Sequence, residues 1–223
     1  MNTRRLGLIL AAVLGVLGVA GWLAWTRSAP DAPGDPQAVQ SAATLVRPHA
    51  PVLGAPQAPV TVVEFFDPSC EACRAFHPYT KQLLADFAGK VRMVIRYAPF
   101  HQGSDEAVAI LEAARTQQRF EAVLDALLLH QPEWAAHGAP NLELAWKLAA
   151  DAGLDVNPGV REAARLRAAE VLAQDVADLK TVGVEKTPTF YVNGRPLARF
   201  HPDALRSLVE EELASGKPAN QSR

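Results

Sequence analysis

Val60-Thr61-Val62-Val63-Glu64-Phe65-Phe66-Asp67-Pro68-Ser69-Cys70-Glu71-Ala72-Cys73 decides the fold. A β-branched and aromatic run of strand length meets a turn signal at Asp67-Pro68-Ser69, and apolar residues then recur at helical spacing through Cys73, Phe76, Leu83, Leu84 and Phe87. A strand that is apolar along most of its length is covered on both faces, which implies an α/β architecture. The chain has 2 cysteines, and both lie in this motif, so neither is left for a structural bridge elsewhere. A static disulfide across so small a loop adds little stability, and one such pair supplies only half of a tetrahedral metal shell. A thiol pair at this spacing, where a buried strand gives way to a helix, reads as a redox couple.

The bulk composition is that of an ordinary folded domain: 49% hydrophobic, 21% charged, formal net charge -2. No basic excess points to nucleic acid. Arg4 and Arg5 precede an uncharged stretch over residues 6–25, whose helical length of about 30 Å matches a hydrocarbon core. Residues 1–27 are therefore expected to form a membrane anchor with its amino end cytoplasmic and Trp22 and Trp25 near an interface. A cleaved signal segment is the competing reading, with small residues at Val19, Ala20 and Gly21. Residues 28–44 read as a flexible tether rich in Pro and Ala. Either reading exports the domain to an oxidising compartment, on the periplasmic side of a bacterial inner membrane.

Ordered structure is expected from a short extended segment at Leu45-Val46-Arg47, with strands at 60–66 and 91–97 and a loop holding His101. Pro78 is expected to bend the helix after the cysteines. Helical periodicity covers 107–117, 120–129, 142–152 and 160–179, with breaks at Pro132, around Gly138 and at Pro158. Trp134 and Trp146 read as core, whereas Arg161, Arg165 and Arg167 with Glu162 and Glu170 read as a solvated helix face. Strand character returns at 189–192, turns at Asn193-Gly194, continues over 196–200 and gives way to a helix over 202–214. This pattern divides the exported part into one α/β domain, 45–103 plus 179–216, interrupted by a helical insertion at 104–178 and followed by a disordered tail at 217–223.

Cys70 is expected at the exposed amino end of its helix, where free N–H groups and the helix dipole favour the attacking thiolate. Cys73, one turn in and more buried, is the resolving thiol. His77 completes a Cys70-x-x-Cys73-x-x-x-His77 spacing, so a second reading is a copper or zinc chaperone. An exposed helix face is the plainer expectation for His77.

Val62-Val63-Glu64-Phe65-Phe66 before Cys70-Glu71-Ala72-Cys73, together with Gly183-Val184 before Thr187-Pro188-Thr189-Phe190-Tyr191-Val192-Asn193-Gly194, resembles the DsbA-like branch of the thioredoxin superfamily. The resemblance covers about 51–103 and 179–214 and implies a thioredoxin-like fold with an inserted helical domain. It implies that Pro188 follows a cis bond and faces the cysteines, and that Thr187 offers its backbone to an extended client. It places Glu64 as a buried acid beneath the pair, with a raised pKa suited to relaying the Cys73 proton. Thiol–disulfide exchange with exported proteins and a membrane-embedded redox partner are implied as well. No cofactor and no metal are expected, because Cys70 and Cys73 are themselves the redox group.

The strongly oxidising members commonly carry Pro and His between the cysteines, where this chain has Glu71-Ala72. The Glu71 charge should compete for the helix dipole and oppose the Cys70 thiolate, giving a couple less oxidising than the about -120 mV of the strongest members. Related isomerases carry a dimerisation domain for which residues 26–51 are too short and too rich in proline, so a monomer is expected. Direction, oxidase or dedicated reductase, stays open.

Overall fold

The computed structural model describes residues 44–216. In chain order these form β1 (Val52–Gly54), β2 (Val60–Phe66), α1 (Glu71–Asp86), β3 (Val91–Tyr97), α2 (Ser104–Thr116), α3 (Phe120–Leu129), α4 (Gln131–Trp134), α5 (Leu142–Asp151), α6 (Pro158–Val182), β4 (Thr189–Val192), β5 (Arg195–Pro196) and α7 (Pro202–Ser215). The sheet order is β1-β3-β2-β4-β5. β2 and β3 run parallel, as strands joined through a helix do, and β4 lies antiparallel on the other side of β2. Helices α2 to α6 lie between β3 and β4 in the chain. The segments read as anchor, tether and tail lie outside the described residues, apart from Thr44. Among the described residues no helix is long and apolar enough to cross a membrane.

Every residue of β2 is buried, because its two faces serve two cores. Val60, Val62 and Phe66 join a large core with Cys73, Phe76 and Leu83 of α1 and with α2, α3 and α5. Val63 and Phe65, alternating to the opposite face, pack with Leu45, Val94, Leu179 and Val184. Glu64 shares the parity of the first set, which turns its carboxylate towards the side of the sheet that holds the cysteines.

A polar assembly that local pattern does not announce pins α6 to the sheet. Arg96 of β3 is fully buried; its Nε donates to Asp175 Oδ1 at 3.0 Å and its NH2 group to Asp178 Oδ2 at 2.6 Å. The same guanidinium donates to the carbonyls of Thr44 and Leu45 at 2.5 and 2.9 Å. Arg47 bonds Asp178 at 2.7 Å, His49 bonds Asp175 at 2.7 Å, and the Tyr97 amide donates to Asp175 at 2.7 Å. Burial works against the Asp178 carboxylate, but the bonds from Arg47 and Arg96 outweigh it and hold its pKa below the usual value.

This assembly also corrects the expected strand at Leu45-Val46-Arg47. Thr44 and Leu45 are helical, and their carbonyls go to Arg96 instead of to a ladder. The break expected at Pro132 falls just ahead of it: α3 ends at Leu129, and Pro132 stands in the first turn of the short α4, where its missing N–H has no partner to lose. The strand expected over 196–200 ends at Pro196, since the chain then turns to stack Phe200 on Phe76 at 4.8 Å. The expected solvated face on α6 is partly engaged. Arg161 bonds Glu143 at 2.9 Å and lies 4.8 Å above the Trp146 ring, and Arg165 pairs with Glu106 at 2.8 Å. Arg167, Glu162 and Glu170 are exposed, and Trp134 and Trp146 are fully buried.

Removing one member of a buried charge assembly strands the others. Arg96→Ala should therefore destabilise the fold by about 3–5 kcal/mol in a urea titration, whereas Arg167→Ala on the open face of α6 should change it by less than about 0.5 kcal/mol.

Candidate active site

The turn between β2 and α1 is organised by Asp67, which is fully buried. Its Oδ1 accepts from the Ser69 amide at 2.9 Å and from Ser104 Oγ at 2.5 Å. Its Oδ2 accepts from the amides of Phe100 and His101 at 2.7 and 3.0 Å and from His101 Nδ1 at 2.8 Å. One carboxylate thus ties the cysteine turn to the loop leaving β3 and to the start of α2. From α4, Gln131 donates to the carbonyls of Pro68 and Cys70 at 2.8 and 3.0 Å and accepts from Arg74 Nε at 3.2 Å.

Cys70 is the residue that caps α1, with extended backbone at φ -79° and ψ 121°. The structure corrects its expected exposure, since only 6% of Cys70 is accessible and Cys73 is fully buried. What covers Cys70 is the segment before β4. The Thr187-Pro188 bond is cis, and the Cys70 thiol lies 3.3 Å from the Thr187 carbonyl oxygen. Pairing of Phe65 with Thr189 brings this segment to the carboxyl end of β2, and Thr189 Oγ1 closes it locally by donating to the Lys186 carbonyl at 2.7 Å.

The electrostatics separate the two thiols. A hydrogen bond from Cys73 is the largest influence on Cys70; the Thr187 side chain and the amides of Cys73 and Ala72 add to it against the penalty of burial, and the pKa falls from 9.0 to about 5. Burial pushes the Cys73 thiol far up, and its bond to Cys70 and the neighbouring Glu64 charge add to that. Glu64 is 4% exposed, and burial followed by the Cys70 charge raises its carboxyl from 4.5 to about 8. The site therefore combines a sulfur that ionises readily, a partner that holds its proton, and an acid that exchanges one near neutrality.

Glu71 is not the free negative charge that the sequence suggested. Its Oε1 accepts from His137 Nε2 at 2.6 Å, and that bond, followed by its own helix-end amide, lowers its pKa. Ala72 packs partly buried against the main core. His77 is not on an open face either: it bonds Asp125 of α3 at 2.8 Å and is turned away from the metal role that the spacing allowed. Among the described residues no three His, Cys, Asp or Glu side chains converge as a metal cluster.

Cys70, Cys73, Glu64, Thr187 and Pro188 are brought together, with Glu71 and Ala72 at the helix start. Sequence reading missed Asp67, Ser104, Gln131 and His137. Asp67-Pro68-Ser69 carried a turn signal that pointed to Asp67, whereas Gln131, 61 residues from Cys70, had no local signal at all.

A family model described as Thioredoxin matches residues 47–211. A thioredoxin-like oxidoreductase from Silicibacter pomeroyi superposes with a TM-score of 0.64 and 27% identity, covering 82% of this chain and 99% of that one. Oxidised BdbD from Bacillus subtilis gives a TM-score of 0.66 and 27% identity, covering 74% of this chain and 94% of that one. A Na(+)/H(+) antiporter, NhaA 3 of Salinispora tropica, is 36% identical over 170 residues, which are 74% of this chain and 25% of the antiporter. The chain thus spans about a quarter of the length of the curated relatives it matches. It belongs to the thioredoxin family. It shares its fold with the thioredoxin-like oxidoreductase and BdbD on which it superposes.

Two pH dependences follow. Alkylation of the reduced protein should modify Cys70 alone, with a rate that levels off above a midpoint of about 5 and does not climb towards 9.0. Because the folded value of Cys70 lies below the unfolded one, its stabilisation of the reduced fold is complete near pH 9.0 and is lost as pH falls to about 5. Glu64 acts in the opposite sense, its contribution complete below 4.5 and lost as pH rises through about 8. The difference in unfolding free energy between reduced and oxidised protein should rise across pH 5–9 in paired denaturant titrations, because the Cys70 thiolate exists only in the reduced form.

Proposed function

We propose that the chain exchanges disulfides with exported proteins through Cys70-Glu71-Ala72-Cys73 and works as a disulfide donor. The observation that carries this reading is the position of the Cys70 sulfur, 3.3 Å from the Thr187 carbonyl at the cis-Pro188 segment. A client laid in extended form along Thr187 would bring its own sulfur to Cys70 by main-chain contacts, which accept many sequences.

A client thiolate attacks Cys70 Sγ in the Cys70–Cys73 disulfide, the S–S bond breaks, and Cys73 leaves as a thiolate. Its high proton affinity draws a proton, which Glu64 holds up to about pH 8 and is placed to supply. A second client thiolate then attacks the client sulfur of the mixed disulfide, and Cys70 departs as the stable thiolate. The client loses two electrons and the cysteine pair gains them; a membrane-embedded redox partner would take them away. Cys70 is the better leaving group of the pair, because a thiol of lower pKa leaves faster.

A thiolate favoured in the reduced state makes a couple more oxidising. The Cys70 value of about 5 falls between the ~3.5 and ~7 of strongly and weakly oxidising thioredoxin-fold sites. Arg4, Arg5 and the apolar stretch over 6–25 support an uncleaved anchor with the domain on the periplasmic side of the inner membrane. The antiporter relatives, which hold a similar module within a membrane transporter, fit that setting. We read the protein as a monomer. No observation favours the metal-carrier reading, since His77 is taken up by Asp125.

Equilibration of the full chain with glutathione should give a potential of about -140 to -200 mV, and a value at or below about -230 mV would overturn the donor direction. Cys70→Ser should abolish exchange with a reduced client, and Cys73→Ser should accumulate a mixed disulfide on Cys70. Persisting exchange in Cys70→Ser would sink the whole reading.

A further inference from the structure

Glu71 places a negative charge on the first helical residue after the reactive sulfur, yet two histidines from outside the β2–α1 unit reach it. His137, in the loop between α4 and α5, sets its Nε2 2.6 Å from Glu71 Oε1. His101, in the loop between β3 and α2, meets the His137 ring edge-on with centroids 5.8 Å apart. Its own Nδ1 is held 2.8 Å from Asp67 Oδ2. Asp67, His101, His137 and Glu71 therefore form a continuous arch from the turn before Cys70 to the residue after it.

The two loops that carry the histidines close on each other at Gly103. Its φ is +82°, and an added Cβ would lie 2.9 Å from Pro140 Cγ and 3.0 Å from Leu142 Cδ2. Only a glycine adopts that conformation without strain and leaves room for the approach.

We propose that His101 and His137 are positioning residues for the cysteine chemistry, His137 drawing the Glu71 carboxylate off Cys70 and His101 presenting positive charge to the sulfur. From two outlying loops the pair supplies what Glu71-Ala72 lacks: a partner for the Glu71 carboxylate and a histidine whose charge interacts with Cys70. This inference rests on the exchange reading of Cys70. Burial of His101 disfavours its charge, but the Asp67 bond and the Asp67, Cys70 and Glu71 charges outweigh it and raise its pKa. The other groups that act on the Cys70 sulfur are Glu64 from β2, Cys73 from α1 and the Thr187 side chain ahead of β4. None of these carries positive charge. His137 has a largely exposed side chain, so its replacement removes the contact with little effect on the core.

The test is a cycle of the wild type, His137→Gln, Glu71→Gln and the double variant in the full chain, read by thiolate absorbance against pH and by equilibrium with glutathione. His137→Gln should raise the thiolate midpoint by about half a unit and shift the glutathione equilibrium about threefold towards the disulfide form, or ~15 mV to lower potential. In the Glu71→Gln background the same change should disappear. His101→Gln, which removes the histidine whose charge interacts with that of Cys70, should raise the midpoint with either residue at 71. An equal effect of His137→Gln in both backgrounds, or no effect in either, overturns the proposal while leaving the exchange reading intact. A wild-type midpoint near the ordinary thiol value of 9.0 would sink both.

Discussion

The buried carboxylate of Asp67 is the constraint on which the site depends. A carboxylate without solvent needs donors on every side, and this one takes them from the cysteine turn, from the loop leaving β3 and from the first residue of α2. The strand, the turn and the helical segment that follows β3 are thereby locked in one geometry. Cys70 sits just beyond this knot, so its position relative to Thr187 follows from it. On the other face of the sheet Arg96 plays the corresponding part, holding α6 to β3 through Asp175 and Asp178.

Within that frame the chemistry depends on unequal surroundings for chemically similar groups. Cys70 receives hydrogen bonds that stabilise its anion, while for Cys73, three residues on and fully buried, the desolvation penalty far outweighs the one backbone bond, from Asp67, that favours ionisation. Glu64 is placed beneath both, in a strand where every neighbour is buried. Its proton is then held near neutrality, where the proposed exchange needs one, and the two sulfurs differ widely in how readily they ionise.

The helical segment between β3 and β4 also contributes to the site. Gln131 holds two carbonyls of the cysteine turn, and the loop that follows α4 brings His137 to Glu71. The dipeptide between the cysteines is therefore an incomplete guide to the electrostatics of this site. A negative residue there has a different effect when a neighbour outside the α/β frame takes up its charge.

Much of the frame was legible in the sequence, because it rests on local periodicity. The apolar run through Val60–Phe66, the helical spacing after Cys70 and the Asn193-Gly194 turn each announce an element from adjacent residues. The two cysteines and the Thr187-Pro188 motif named the site for the same reason: each is a short pattern with its own chemistry. The pairing of Glu71 with His137, of His77 with Asp125 and of Arg96 with Asp175 joins residues far apart in the chain, and no spacing rule encodes it. The near-burial of Cys70 under Thr187 is of the same kind. The sequence by itself determined the candidate residues and the elements that hold them. Only the tertiary structure decided the charge environment of each, because desolvation and through-space partners are properties of the packed chain.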